Sequence, residues 1–261
     1  MQPTFCFIDD ADFELDNFAA NVAPAFKGVE FVYARDFARA QRKLDDKRCL
    51  GFLLDIYGAE PGAEPGEFPP AEELAPGLGA GFDPESLYQD LEGEGWERAN
   101  QFLRRLFGRV RAAQSAFDLA AGRIGQSRAY GLGNLALVKE HYPWAAALGY
   151  SRKAAYADAA AMCMAGAHGV LSKPQGEDDK AIAKASQEAA PELAEAVYAA
   201  VDQRLAGLVG GLGLRLCQEG AGLPLVEALQ MSLEQINGIG TKRSRSGRAE
   251  ALERLKAVRH E

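Results

Sequence analysis

Cysteine is scarce, histidine scarcer, and long apolar runs are missing. The four cysteines, Cys6, Cys49, Cys163 and Cys217, are scattered, and no two stand at metal-ligand spacing. That spacing excludes a thiolate metal site, and the chain does not read as a disulfide-stapled secreted scaffold. The cysteines are expected to behave as small apolar residues, two of them on or beside strands. His141, His168 and His260 are isolated and read as surface or helix-end residues with no chemical role. No apolar run approaches the length needed to cross a bilayer. The start, Met1-Gln2-Pro3-Thr4, lacks a basic leader region. A cytoplasmic location with no membrane partner is therefore expected. Lysine and arginine are absent between Glu60 and Glu97, and no internal repeat is apparent.

What is present is an ordinary globular balance. The chain has 261 residues, 48% hydrophobic and 25% charged, enough for a substantial core. A net charge of -8 and a pI near 5.1 argue against a general polyanion binder, so any nucleic-acid contact would need a local basic patch.

Short apolar runs alternate with helical patterns. Residues 4–8 read as a first strand ending at Asp9-Asp10. A helix follows with Leu15, Phe18, Ala19, Val22 and Phe26 on one stripe, stopped at Lys27-Gly28. Residues 29–33 suit a second strand, and Phe37, Ala40 and Leu44 mark a second helix. The run Leu50-Gly51-Phe52-Leu53-Leu54 then meets Asp55. A continuous apolar run of this kind fits a strand buried on both faces of a parallel sheet. The β-α-β-α-β order implies right-handed crossovers.

The pattern breaks over residues 58–130. Its first part is acidic and rich in Gly and Pro, and reads as an irregular solvated loop with one short helix near Ser86–Leu91. From Trp96 to Arg123 the character reverses. Arg98, Arg104, Arg105, Arg109 and Arg111 accompany Leu103, Leu106 and Val110 in an amphipathic helix. Its arginines form either a solvated face or a docking surface for an acidic partner or the acidic loop before it.

The α/β rhythm resumes with a helix over Asn134–His141, a strand at 145–150 ending in Ser151, a helix over Lys153–Ala165, and a strand at 169–172 ending in Lys173-Pro174. Pro191 fits the first turn of a last helix carrying Leu193, Val197, Val201 and Leu205. Residues 208–213 are Gly-rich and read as a hinge, and 214–261 as two or three helices. The expectation is a doubly wound, five-stranded parallel α/β sheet of flavodoxin-like order 2-1-3-4-5. It occupies residues 1–207, with a helical insertion at 58–130 and a helical extension at 208–261.

In that order the first and third strands are neighbours, and Asp9, Asp10 and Asp55 meet at one crevice beside Ser151 and Lys173. Three clustered carboxylates repel, so they take up protons or bind a cation. Hard oxygen donors without His or Cys favour Mg²⁺. An aspartate beside Mg²⁺, a hydroxyl and a lysine is equipped to attack phosphorus, with Asp55 the nucleophile.

These residues resemble the receiver domain of two-component response regulators (CheY-like). The match lies in Ile8-Asp9-Asp10, Leu53-Leu54-Asp55, Tyr150-Ser151 and the run Ala165 to Pro174. The resemblance implies that Asp9 and Asp10 hold Mg²⁺, with Asp10 the more direct ligand and the Tyr57 carbonyl completing the shell. It implies that Asp55 accepts a phosphoryl group from a sensor histidine kinase or phosphotransfer protein. Ser151 and Lys173 then engage that group. Only self-phosphorylation and autodephosphorylation chemistry is expected, without turnover of a separate substrate. Three departures bear on switching. Val170 stands where the family has an aromatic residue, Arg152 where it has a small one, and the insertion follows the third strand. They motivate a second reading, a non-switching pseudo-receiver used as a binding or homodimerisation scaffold. A third reading is DNA binding through a Gly-Ile-Gly turn within residues 233–243, with Arg245 and Arg248 adjacent. The net negative charge and the lack of a second hairpin weigh against it.

Overall fold

The computed structural model describes residues 2–45, 47–59, 66–67, 69–78, 83–219, 249–250 and 252–253. The chain divides into two compact units, Met1–Gly58 with Arg128–Glu261, and Ala59–Ser127.

The first unit is built on five strands: β1 (Thr4–Ile8), β2 (Glu30–Ala34), β3 (Cys49–Leu54), β4 (Ala146–Ser151) and β5 (Val170–Ser172). They form one parallel sheet in the order β2-β1-β3-β4-β5, as expected from the sequence. Every residue of β1, β3 and β4 is buried, which is why these runs carry almost no polar side chain. Helices on the two faces bury the sheet and complete an α/β doubly wound fold.

Helices α1 (Asp12–Asn17), α2 (Phe37–Leu44), α5 (Ala129–His141), α6 (Tyr156–Met164) and α7 (Asp179–Glu219) belong to this unit. On one face Phe5, Phe7, Phe18 and Leu53 pack with Val197, Val201 and Leu205 of α7. The Phe7 and Phe18 rings lie 4.6 Å apart. Helix α1 does not run regularly through its expected stripe. A π turn, Phe18–Val22, and a 3₁₀ turn, Ala23–Ala25, follow it. Phe18, Val22 and Phe26 are buried, whereas Ala19 is turned out to solvent. The wider π turn breaks the 3.6-residue stripe there.

Helix α7 corrects two expectations. Pro191 lies inside it, not at its first turn. Asp178 Oδ1 accepts from Ala181 N at 2.7 Å and starts the helix before the proline. The surrounding alanines are strong helix formers, and Ala190, Leu193 and Ala194 on either side of the ring are anchored in the core. The expected hinge at 208–213 is helical as well, since α7 runs on to Glu219. Beyond it, Leu252 joins the main core. The Gly-Ile-Gly turn and Arg245 and Arg248 lie outside the described residues.

Cys6 and Cys49 are buried on β1 and β3, while Cys163 is exposed. His168 is not a surface residue. It is half-buried and its Nδ1 accepts from Ala147 N at 3.0 Å, while burial lowers its basicity. It fastens the segment before β5 to the edge of β4.

In the second unit the acidic stretch is less irregular than its composition suggests. Helix α3 (Ala71–Leu78) follows Pro69-Pro70, and its run Ala71-Glu72-Glu73-Leu74-Ala75 consists of strong helix formers with acids in the first turn. The short helix expected near Ser86–Leu91 is one 3₁₀ turn, Pro84–Leu87, started by Asp83 Oδ1 accepting from Glu85 N at 2.9 Å. Helix α4 (Trp96–Arg123) forms where expected, but only Ala116 and Ala121 of it are buried. No helix among the described residues is long and apolar enough to cross a membrane.

Candidate functional site

The sheet register builds the site. Ile8 pairs with Leu54, so Asp9 and Asp55 leave adjacent strands side by side. Ser151 pairs with Ser172, so Lys173 follows one step beyond the hydroxyl. The backbone holds this rim: Asp55 N donates to Ile8 O at 2.9 Å and Lys173 N donates to Ser151 O at 3.1 Å. Helix α5 closes against the same rim. A Cβ on Gly131 would lie 2.7 Å from the Asp55 carbonyl oxygen, so this position requires glycine.

Lys173 is the centre of the cluster and is 4% exposed. Its Nζ donates to Asp9 Oδ2, and to Asp55 Oδ1 at 3.1 Å, and lies 3.7 Å from Glu14 Oε2. The rings of Phe7 and Tyr150 flank it at 5.5 and 5.8 Å. Burial opposes its charge most, but Asp55, Asp9 and Glu14 outweigh that and hold its pKa above the ordinary lysine value. A buried ammonium with this many anionic partners stays charged.

The carboxylates fit a hard cation. One oxygen from each of Asp9, Asp10 and Asp55 lies within 4.8 Å of the others. This all-carboxylate set suits Mg²⁺ better than a softer metal. Burial raises the Asp9 carboxyl to about 7, with the Asp55 charge adding to the rise and Lys173 opposing it. Asp9 Oδ1 also accepts from Ala11 N at 3.0 Å. Ser151 is buried at the same rim, and its Oγ accepts from Lys153 N at 3.3 Å. Tyr57 lies two residues past Asp55 with its side chain buried. Its hydroxyl donates to Asp158 Oδ1 at 3.0 Å, tying the exit of β3 to α6.

Each sequence-predicted side chain thus reaches one crevice. Two further residues were not foreseen together. Arg152 Nη1 donates to Glu14 Oε1 at 2.7 Å, and Arg152 Nε donates to Pro174 O at 3.0 Å. This ion pair spans from α1 to the loops after β4 and β5. Glu14 is an acid in the first turn of the helix that follows the acid pair, one turn on from Asp10. That position was the available signal, and its partner was not readable from spacing.

No known protein family matches the chain by sequence, and neither does any curated protein. Among solved structures it is similar to a response regulator receiver domain protein (CheY-like) from Methanospirillum hungatei JF-1. The likeness has 12% sequence identity and a TM-score of 0.40, and covers 78% of this chain and 97% of that one.

Proposed function

We propose that the chain is a phospho-accepting receiver in which Asp55 takes a phosphoryl group from the phosphohistidine of a sensor kinase or phosphotransfer protein. The observation that carries this reading is Lys173 Nζ bridging Asp9 and Asp55 beside Ser151, at the carboxyl ends of parallel strands. Asp9, Asp10, Asp55 and the Tyr57 carbonyl would hold Mg²⁺. When bound, the ion would neutralise charge on the transferring group.

The chain's own residues then divide the work. Lys173 donates to Asp55 Oδ1, and Asp55 Oδ2 acts as the nucleophile. The new bond joins that oxygen to phosphorus, and the phosphorus–nitrogen bond to the donor imidazole breaks. Lys173 turns part of its charge to the equatorial oxygens, and the Ser151 hydroxyl donates a hydrogen bond to them. The carboxylate becomes a mixed anhydride, and the altered charge shifts an equilibrium between two arrangements of the rim. Signalling would follow through protein contacts.

The closed Arg152–Glu14 pair favours a second reading, a crevice held shut in a scaffold that does not switch. One experiment separates the two. The chain is incubated with Mg²⁺ and acetyl phosphate or beryllofluoride, and adduct formation is followed by intact mass and ¹⁹F NMR. The receiver reading expects an adduct on the wild type and none on Asp55→Asn. An adduct that survives Asp55→Asn, or no adduct on either, overturns it.

A further inference from the structure

Helix α4 carries a seam that the described chain leaves open. Trp96, Asn100, Leu103, Phe107, Val110 and Gln114 recur at alternating steps of four and three. That spacing averages 3.5 residues and sets one stripe along a helix, the geometry of a coiled-coil interface with polar residues at two layers. Trp96, Leu103, Phe107 and Val110 are 79%, 51%, 65% and 57% exposed. Beyond Gln114 one face of the helix is covered. Helix α3 packs on α4, Arg123 Nη2 meets Glu73 Oε2 at 3.1 Å, and Ala116 and Ala121 are buried.

Charge identifies what the open part fits. Helix α4 carries six arginines against Glu97 and Asp118, in a chain of net charge -8. Arg104 and Arg111 lie one heptad apart, each next to an apolar seam residue, and edge the stripe on one side. The described acidic segment does not reach this side. Its contacts fall on the opposite face of the helix, where the Tyr88 and Phe102 rings are 4.9 Å apart and Arg105 donates to the Ser86 and Gln89 carbonyls. A second copy of α4 is a poor match. Antiparallel pairing sets Arg104 of one copy against Arg111 of the other, and Glu97 against Asp118. Parallel pairing sets the edge arginines against Ala99 and Leu106, which leaves their charge unanswered. Gly108 sits beside Phe107 with open space where a Cβ would project.

We propose that the Trp96–Gln114 seam docks an acidic amphipathic helix of another protein, apolar at its centre and flanked by Asp or Glu. The surface is independent of the phosphoryl chemistry above and stands or falls separately.

The test uses the full chain and two labelled synthetic helices with leucine along the seam, one flanked by Glu and the other by Lys, followed by fluorescence anisotropy. The Glu-flanked helix is expected to bind at least about tenfold more tightly, with an affinity that falls as salt rises. Phe107→Asp is expected to abolish binding, and circular dichroism would verify that the variant is folded. The double charge swap Arg104→Glu with Arg111→Glu is expected to reverse the preference toward the Lys-flanked helix. Equal affinity for the two helices, binding of neither, or a preference that survives the double swap overturns the proposal. So does sedimentation showing a dimer of the free chain that Phe107→Asp dissociates, which would assign the seam to a second copy.

Discussion

Lys173 and Trp96 sit in opposite kinds of surroundings. A charged amine is 4% exposed in one, and a large indole is 79% exposed in the other. In the crevice every buried charge has a partner of opposite sign, and the cluster is held by backbone on three strands. On α4 the apolar residues lie in the open and the arginines outnumber their acidic neighbours. Folding alone favours neither arrangement. Water would hydrate Lys173 at less cost, and the interior would shelter Trp96 and Phe107. Both regions therefore mark places where local rules yield to something outside the chain. The crevice is finished as a structure, with its carboxylates, lysine and hydroxyl already gathered at one rim. The seam is half of an interface.

The largest effect is expected at the lysine that holds the crevice. Lys173→Ala leaves Asp9 and Asp55 buried beside each other with no cation, and a stability loss of about 3–5 kcal/mol is expected in urea with EDTA present. Added Mg²⁺ should recover part of that loss, because it supplies the missing positive charge. A loss no greater than that of an exposed ion pair would show that the cluster is hydrated, not buried.

A smaller effect sharpens the same side. Folding raises the Asp9 carboxyl from 3.8 to about 7. Protonated Asp9 therefore favours the folded state. That contribution is complete below the unfolded value near 3.8 and is lost as pH rises through about 7. Mg²⁺ must displace this proton, so its apparent affinity is expected to rise up to about tenfold per pH unit below that point and to level off above it. Isothermal titration of Mg²⁺ between mildly acidic and mildly alkaline buffers checks this, and a flat profile would remove Asp9 from the ligand set.

The smallest expected effect concerns the other region. Phe107→Gln should change stability by no more than about 0.5 kcal/mol, since the ring contributes little to the folded chain. Denaturant unfolding monitored by circular dichroism measures it. A large loss would mean that the ring belongs to a core, and the contrast with Lys173 would vanish.

Much of the crevice was legible in the sequence because a parallel sheet turns chain order into geometry. Apolar runs of similar length ended in Asp9, Asp55, Ser151 and Lys173, and the sheet brought those ends to one rim. The Glu14–Arg152 pair was not legible, because it depends on how a helix start meets two loops distant in sequence. Pro191 misled because proline is read as a boundary, whereas alanine-rich flanks and core contacts on both sides carried α7 through it. The acidic stretch misled in the other direction. Its Gly and Pro hid a short run of helix formers at Ala71–Ala75. On α4 the periodicity correctly gave a helix and an apolar stripe, but periodicity alone does not say whether the neighbour that covers a stripe lies in the same chain.

Gly131 carries one more consequence. Its missing side chain lets α5 seat directly on the Asp55 carbonyl, so the return of the chain is fixed by the first unit itself. The cost of closing a loop grows only logarithmically with its length. Whatever is spliced between the exit of β3 and that seat can lengthen, shorten or be exchanged at little thermodynamic expense. Strand β3 thus ends at a natural grafting point, where a lineage can acquire a new partner without rebuilding the crevice beside it.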